Sequence, residues 1–307
     1  MDDATGAKLA IRTPIGLIQP RVVPFGSTGA VAWCARNIEF LLQDKQDWAR
    51  NYLDDTALGD MTFKEFVPHL DNFLTMCEER NIRLNGKKSI IGPRYLPLLG
   101  RLVGQGVVRV DPEYLETIRL LEPPTSKVGL RQVLGMFEWM SGHVPHLATL
   151  SGELWDLLKL EVPWKWTASC QECFDRCKKA ICDAPCVLHI PVHGAPKELE
   201  ADASSTGLAA ALFQIVDNKR QLIGLWSRRL RPSEQNKPII ELEAMACLSG
   251  VVRFRDMILG SELTIYTDHS NLCWMDKLQN VHIQQCHVVL LQFSPRIRYI
   301  FQGVRID

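Results

Sequence analysis

Tyr52-Leu53-Asp54-Asp55 stands where a stretch that reads as a strand, Trp48 to Leu53, turns back into its return, Thr56 to Leu58. Two adjacent carboxylates repel each other. They are tolerated side by side on a solvated turn, or beside bound cations that neutralise them. Asp is a favoured turn residue, so the dipeptide alone reads as an acidic turn. Whether it is more depends on what surrounds it.

Upstream, residues 1–26 give short extended pieces bracketed by turn chemistry, and Ser27 to Leu42 carries Val31, Ala35, Ile38 and Leu42 at helical spacing. Downstream, Thr62 with Glu65 forms a capping-box signature. It opens a helix whose apolar stripe is Phe63, Phe66, Leu70, Phe73, Leu74 and Cys77. Ile82 to Leu84 then reads as a strand leading to an Asn85-Gly86 turn, and Tyr95 to Val110 as two strands joined at Gly104-Gln105-Gly106. Asp111-Pro112 is a helix start, with Asp as N-cap and Pro in the first turn.

Pro123-Pro124 suits neither a helix interior nor a central strand and marks a linker. After it, Ser126 caps a helix through Phe137, a further helix spans Leu147 to Leu158, and Thr167 caps one that ends before Pro185. That last helix carries Cys170, Cys173, Cys177 and Cys182, with Cys186 just beyond. Without an interleaved His, these cysteines read as small buried apolar residues rather than a zinc site.

Past Pro191 the pattern becomes strand-rich. Glu198 to Ala201 leads into Asp202, and Leu208 to Ile215 and Leu222 to Trp226 follow. A helix spans Ile240 to Arg255, and Leu263 to Thr267 ends at Asp268-His269. Gln284 to Phe293 looks helical and Arg296 to Phe301 extended. Three strands, a helix and further strand imply an α/β unit with a mixed sheet, in which sites gather at strand ends.

Asp202 and Asp268 lie at such ends, and Glu241 and Glu243 open the helix between them. Converging acids repel unless they hold hard cations, and a pair of Mg²⁺ ions suits phosphodiester hydrolysis. Residues two apart on a helix point about 200° away from each other, so only one glutamate can face the site. Glu243 shares its face with Ala246, Cys247 and Gly250, small enough for close approach to a sheet. Spacing alone leaves Glu241 open and favours Glu243.

At 307 residues and 46% hydrophobic composition the chain can bury sizeable cores, consistent with two or three domains. Lys plus Arg equals Asp plus Glu at 35 each, so any nucleic-acid surface would be local; Arg228-Arg229 with Arg231 is one candidate phosphate contact. No secretory signal and no apolar run long enough for a membrane span occurs. The ten cysteines then suit a reducing, intracellular setting, cytoplasmic or nuclear.

Taken in order, these parts resemble the reverse transcriptase and RNase H portion of the pol polyprotein of gypsy-type LTR retrotransposons. Val23-Pro24-Phe25-Gly26 is similar to a palm segment, Tyr52-Leu53-Asp54-Asp55 to the YxDD metal-binding turn, and Asn85-Gly86-Lys87-Lys88 to a lysine-bearing motif. Leu130-Arg131-Gln132-Val133-Leu134-Gly135 resembles the start of a helical thumb or connection. Asp202-Ala203-Ser204 resembles the family's TDAS with Ala201 replacing Thr, Glu243 its helix glutamate, and Thr267-Asp268-His269 its TDH.

The resemblance implies an α/β (α+β) chain: a partial palm over 1–122, a thumb or connection over 123–190, and an RNase H-like mixed sheet with helices over 191–307. It implies Mg²⁺, or Mn²⁺ in its place, at Asp54, Asp55, Asp202, Glu243 and Asp268, and as partners an RNA template, a DNA primer and an RNA–DNA hybrid. Departures accompany it. Cys34-Ala35 stands where the family has Phe-Gln, and the palm's upstream Asp motif would precede Met1. A fourth RNase H acid is expected beyond Gly303, too far for Asp307. The expectation is of a truncated fragment with polymerase activity lost. It either retains weak hydrolysis or survives as an inactive nucleic-acid-binding scaffold.

Overall fold

The computed structural model describes residues 3–24, 26–60, 62–184 and 187–300. Phe25, Pro185, Cys186, Phe301, Gly303 and Asp307, which enter the sequence reading, lie outside these. The chain divides into two compact units between Ile91 and Gly92.

The first unit holds α1 (Asp3–Lys8), the hairpin β1 (Ile11–Thr13) and β2 (Gly16–Ile18), α2 (Ala30–Leu41), the hairpin β3 (Ala49–Tyr52) and β4 (Asp55–Leu58), and α3 (Phe63–Glu79). The Thr62 and Glu65 capping box forms as expected. Pro68 inside α3 removes one helical donor, yet the helix continues past it. Its stripe buries less than the pattern implies. Phe73 and Cys77 pack against Leu42 and Ala49 in a small core, whereas Phe63 and Leu74 are exposed. Ile82 to Leu84 is not a strand. The Ile82 N–H closes the end of α3 on the Cys77 carbonyl at 2.8 Å, and among the described residues no strand pairs with the segment. The Asn85 turn does form, its side chain accepting from the Lys87 N–H.

In the second unit β5 (Leu96–Leu98), β6 (Arg101–Gly104) and β7 (Val107–Val110) form an antiparallel meander, one strand more than the sequence suggests. Each of its two-residue turns, Leu99-Gly100 and Gln105-Gly106, has both residues at positive φ, the primed geometry that matches strand twist. A helical cluster follows: α4 (Pro112–Leu120), α5 (Lys127–Trp139), α6 (Leu147–Leu150), α7 (Gly152–Leu157) and α8 (Ala168–Asp183).

Asp111, Ser126 and Thr167 cap α4, α5 and α8 through side-chain oxygens that accept backbone N–H groups at 2.9, 3.1 and 3.2 Å. The single helix expected over 147–158 is broken at Ser151, whose hydroxyl donates to the Leu147 carbonyl. Phe137, Phe174 and Ile181 are fully enclosed, and Cys170, Cys173 and Cys177 line the same core. The short β8 (Leu188–His189) then pairs antiparallel with β7.

The remaining elements are β9 (Lys197–Ala203), β10 (Gly207–Val216), β11 (Lys219–Arg229), α9 (Ile239–Arg253), α10 (Arg255–Ile258), β12 (Leu263–Thr267), the 3-10 segment Ser270–Lys277, α11 (Val281–Leu290) and β13 (Arg296–Tyr299). The sheet order is β11-β10-β9-β12-β13, antiparallel among the first three, with β12 parallel to both β9 and β13. This is the mixed sheet the sequence implies. Leu199, Leu212 and Ile265 are fully buried beneath α9, each worth about 2 kcal/mol by area. Gly250 lets α9 come that close: a Cβ there would lie 2.8 Å from Ala210 Cβ and 3.1 Å from Leu199 Cδ2.

Candidate metal centre

Asp202 is the penultimate residue of β9, Glu243 sits in the second turn of α9, and Asp268 follows the last residue of β12. Parallel pairing puts the ends of β9 and β12 side by side, and Gly250 seats α9 against them, so the three carboxylates converge. One oxygen from each lies within 4.8 Å of the others, the sole such group of three or more candidate ligands among the described residues. Glu243 is 2% exposed, Asp202 half-buried and Asp268 exposed, which grades the cluster from sealed floor to open mouth.

The local framework is tied down by hydrogen bonds. Glu243 Oε1 accepts the Ala203 N–H at 3.1 Å, while its Oε2 is buried with no partner among the described residues. Ser204 closes the turn between β9 and β10, its hydroxyl oxygen accepting from the Gly207 N–H at 3.0 Å and its own N–H donating to the Gly207 carbonyl at 2.8 Å. Thr267 Oγ1 accepts from the His269 N–H at 3.2 Å and fixes the corner carrying Asp268.

Desolvation, reinforced by Asp268 and Asp202, pushes the Glu243 carboxyl up to about 8, against the opposing Ala203 N–H. Burial and then Asp268 also raise Asp202, with the field of His146 and the Ala203 N–H pulling the other way. A sealed carboxylate with an orphaned oxygen, crowded by two like charges, is the environment a hard divalent cation relieves. The all-oxygen donor set fits one.

Glu241 takes a different part. It ion-pairs with Lys237 at 2.8 Å and accepts from Asn280 Nδ2 at 2.7 Å, and Asn280 in turn caps α11. The lysine hydrogen bond, then that from Asn280, holds its carboxyl below the ordinary range. The small residues on the opposite face, Ala246, Cys247 and Gly250, are the signal that separates the two glutamates.

Asp54 and Asp55 belong to the first unit. The β3–β4 hairpin turns through Leu53 at φ 55°, and both aspartates are exposed. Trp48 stacks on His69 at 4.4 Å, and His69 Nδ1 meets Asp60 Oδ1 at 2.8 Å, which anchors the hairpin to α3. Among the described residues no third ligand joins Asp54 and Asp55 in a metal-binding group.

The basic cluster is largely committed internally. Arg228 pairs with Glu234 at 2.6 and 3.0 Å. Arg229 pairs with both oxygens of Asp156 at 3.1 Å and donates to the Gly152 carbonyl at 2.9 Å. Two of the three arginines read as phosphate contacts therefore hold the fold, leaving Arg231 exposed.

Residues 166–265 match the model of the RNase H-like domain found in reverse transcriptase, a span that includes Asp202 and Glu243 and stops three residues before Asp268. An alignment 300 residues long, covering 95% of the chain, gives 24% identity with the Tf2-3 and Tf2-7 transposon polyproteins of Schizosaccharomyces pombe. Nearly the whole chain is thus similar to a part of these transposon polyproteins. It spans 22% of the length of those relatives.

The fold has solved counterparts. The foamy viral protease-reverse transcriptase in complex with dsDNA superposes with a TM-score of 0.84 at 17% identity, over 100% of this chain and 65% of that one. The same viral protein in complex with an RNA/DNA hybrid gives 0.79, over 42% of its chain. No helix among the described residues is long and apolar enough to cross a membrane.

Proposed function

We propose that this chain is a retrotransposon-derived reverse transcriptase and RNase H piece whose working site is the RNase H-like centre, where Asp202, Glu243 and Asp268 hold Mg²⁺, or Mn²⁺ in its place, for endonucleolytic cleavage of RNA in an RNA–DNA hybrid. The observation that carries this reading is the convergence of the three carboxylates around a buried Glu243 oxygen that has no protein partner. Residues 1–122 are read as palm-derived, 123–190 as thumb or connection, and 191–307 as the RNase H-like domain, acting in an intracellular compartment, cytoplasmic or nuclear.

When bound, a divalent cation supplies an activated water and neutralises charge on the departing oxygen. Glu243, buried on the sheet-facing side of α9, would anchor the floor of the site as a cation ligand. Asp202 and Asp268 stand nearer the mouth and orient whatever enters. Relatives in complex with dsDNA and with RNA/DNA hybrid support a duplex as the partner. For Asp54 and Asp55 we assign no polymerase step, because both are exposed and no third ligand joins them among the described residues; an RNA template and DNA primer remain the ancestral substrates of that unit.

Two measurements test the proposal. Mg²⁺ or Mn²⁺ should raise the melting temperature of the wild type and leave Asp202→Asn unmoved. The wild type should cut a labelled hybrid in Mg²⁺ or Mn²⁺ above the Asp202→Asn background. Hybrid binding without cleavage above that control replaces the nuclease with a non-hydrolytic binding protein.

A further inference from the structure

We propose that His146, contributed by the helical cluster and lying outside the matched RNase H-like span, contacts the hybrid's backbone phosphate at the Asp202 side of the centre. The inference rests on the hydrolase reading for its substrate and on separate observations for its geometry.

His146 stands 56 positions before Asp202, and the corner that carries it is bolted to the sheet beside the Asp202 strand end. The Ala148 N–H donates to Ser227 Oγ at 3.3 Å, near the end of β11. Thr149 Oγ1 packs so closely on Gly207, the first residue of β10, that a Cβ there would lie 2.6 Å from it. Arg229 reaches across to the Gly152 carbonyl and both oxygens of Asp156. Gly207 is tied by Ser204 to the turn leaving Asp202, so these contacts set the corner next to that carboxylate.

The imidazole itself makes no hydrogen bond among the described residues and is exposed. It lies outside the group of mutually close ligand atoms, so it is not a fourth cation ligand. Its backbone adopts φ 54°, ψ 19° at the N-cap of α6, a left-handed conformation that is uncommon outside glycine and enriched in Asn, Asp and His. A donor side chain held in an unusual conformation at the mouth of a carboxylate centre, without a protein acceptor, is placed to donate to an anionic ligand. The anion a hydrolase of this kind brings there is a backbone phosphate.

The test is affinity for a labelled RNA–DNA hybrid in Ca²⁺, which separates binding from turnover. His146→Gly removes the imidazole while fitting the positive φ, so its melting temperature should equal or exceed that of the wild type. Its rise in melting temperature with Mn²⁺ should be retained, and its hybrid affinity should fall about tenfold, the worth of one hydrogen bond to a charged group. His146→Asn keeps a donor and tolerates the backbone; it should bind within about threefold of wild type. Equal binding by His146→Gly and wild type overturns the inference, as does a wild type that does not bind the hybrid. A wild type that binds but cuts no better than Asp202→Asn sinks the nuclease reading alone, leaving the His146 contact to be judged by affinity.

Discussion

Lowering the pH from 7.5 to 4 should destabilise the second unit through one residue, His143. Its ring is fully buried at the turn before α6, and Arg101 Nη1 lies 3.2 Å from both ring nitrogens. Arg101 also donates to the Trp139 carbonyl at 3.1 Å and stacks on the Trp139 ring at 4.9 Å, and Tyr114 is near enough to feel its charge. A guanidinium has only donors, so the imidazole must present an unprotonated nitrogen to it.

Desolvation, and then Arg101, lower the ring from 6.5 to about 4. A depressed folded-state value means that the stability is present above 6.5 and is lost as pH falls through that value toward 4. The full difference is about 3 kcal/mol, of which roughly 1.4 kcal/mol is gone by pH 5.5. Urea unfolding followed by tryptophan fluorescence at pH 7.5, 5.5 and 4 measures this, since Trp33 and Trp48 aside the tryptophans lie in the second unit. Carboxylates titrate in the same range, so the decisive quantity is wild type minus His143→Gln. If the two lose stability in parallel, the neutral buried ring is not the cause.

Smaller perturbations probe the frame of the site. Gly250→Ala should cost about 1 to 2 kcal/mol in thermal unfolding, overpacking against Ala210 and Leu199 outweighing the gain in helix propensity, and should weaken the Mn²⁺-induced stabilisation by lifting Glu243. Asn280→Ala removes the cap of α11 and the partner of Glu241 together and should cost about 1 to 2 kcal/mol in urea unfolding. Thr62→Ala should cost about 1 kcal/mol, read in the first unit alone by hydrogen exchange along α3.

What could be read from the sequence was what local chemistry decides. Thr62, Asp111, Ser126 and Thr167 announce helix starts because a cap is satisfied within three residues, and all four hold. Glu243 could be preferred to Glu241 because the neighbours on its face are small. Ile82 to Leu84 misled because strand identity depends on a partner, which no local pattern supplies. The two-residue β8 carries no pattern of its own, and its pairing with β7 bridges some eighty intervening positions. Arg228 and Arg229 looked like a phosphate patch because Asp156, which satisfies Arg229, lies 73 residues upstream. His146 was silent for the same reason: its nearness to Asp202 exists only once α6 meets the β10–β11 hairpin.

The pairing of Val107 and Val108 with His189 and Leu188 closes a chain loop around the entire helical cluster. That cluster is thus an insertion between two strands of one small sheet. A recombinant piece begun at Trp166 would strip β8 of its neighbour, leave Arg229 and Ser227 without Asp156 and Ala148, and lose the corner beside Asp202. The smallest expressible form of this centre should therefore start before β5, and above Gly92 the chain should melt in a single step.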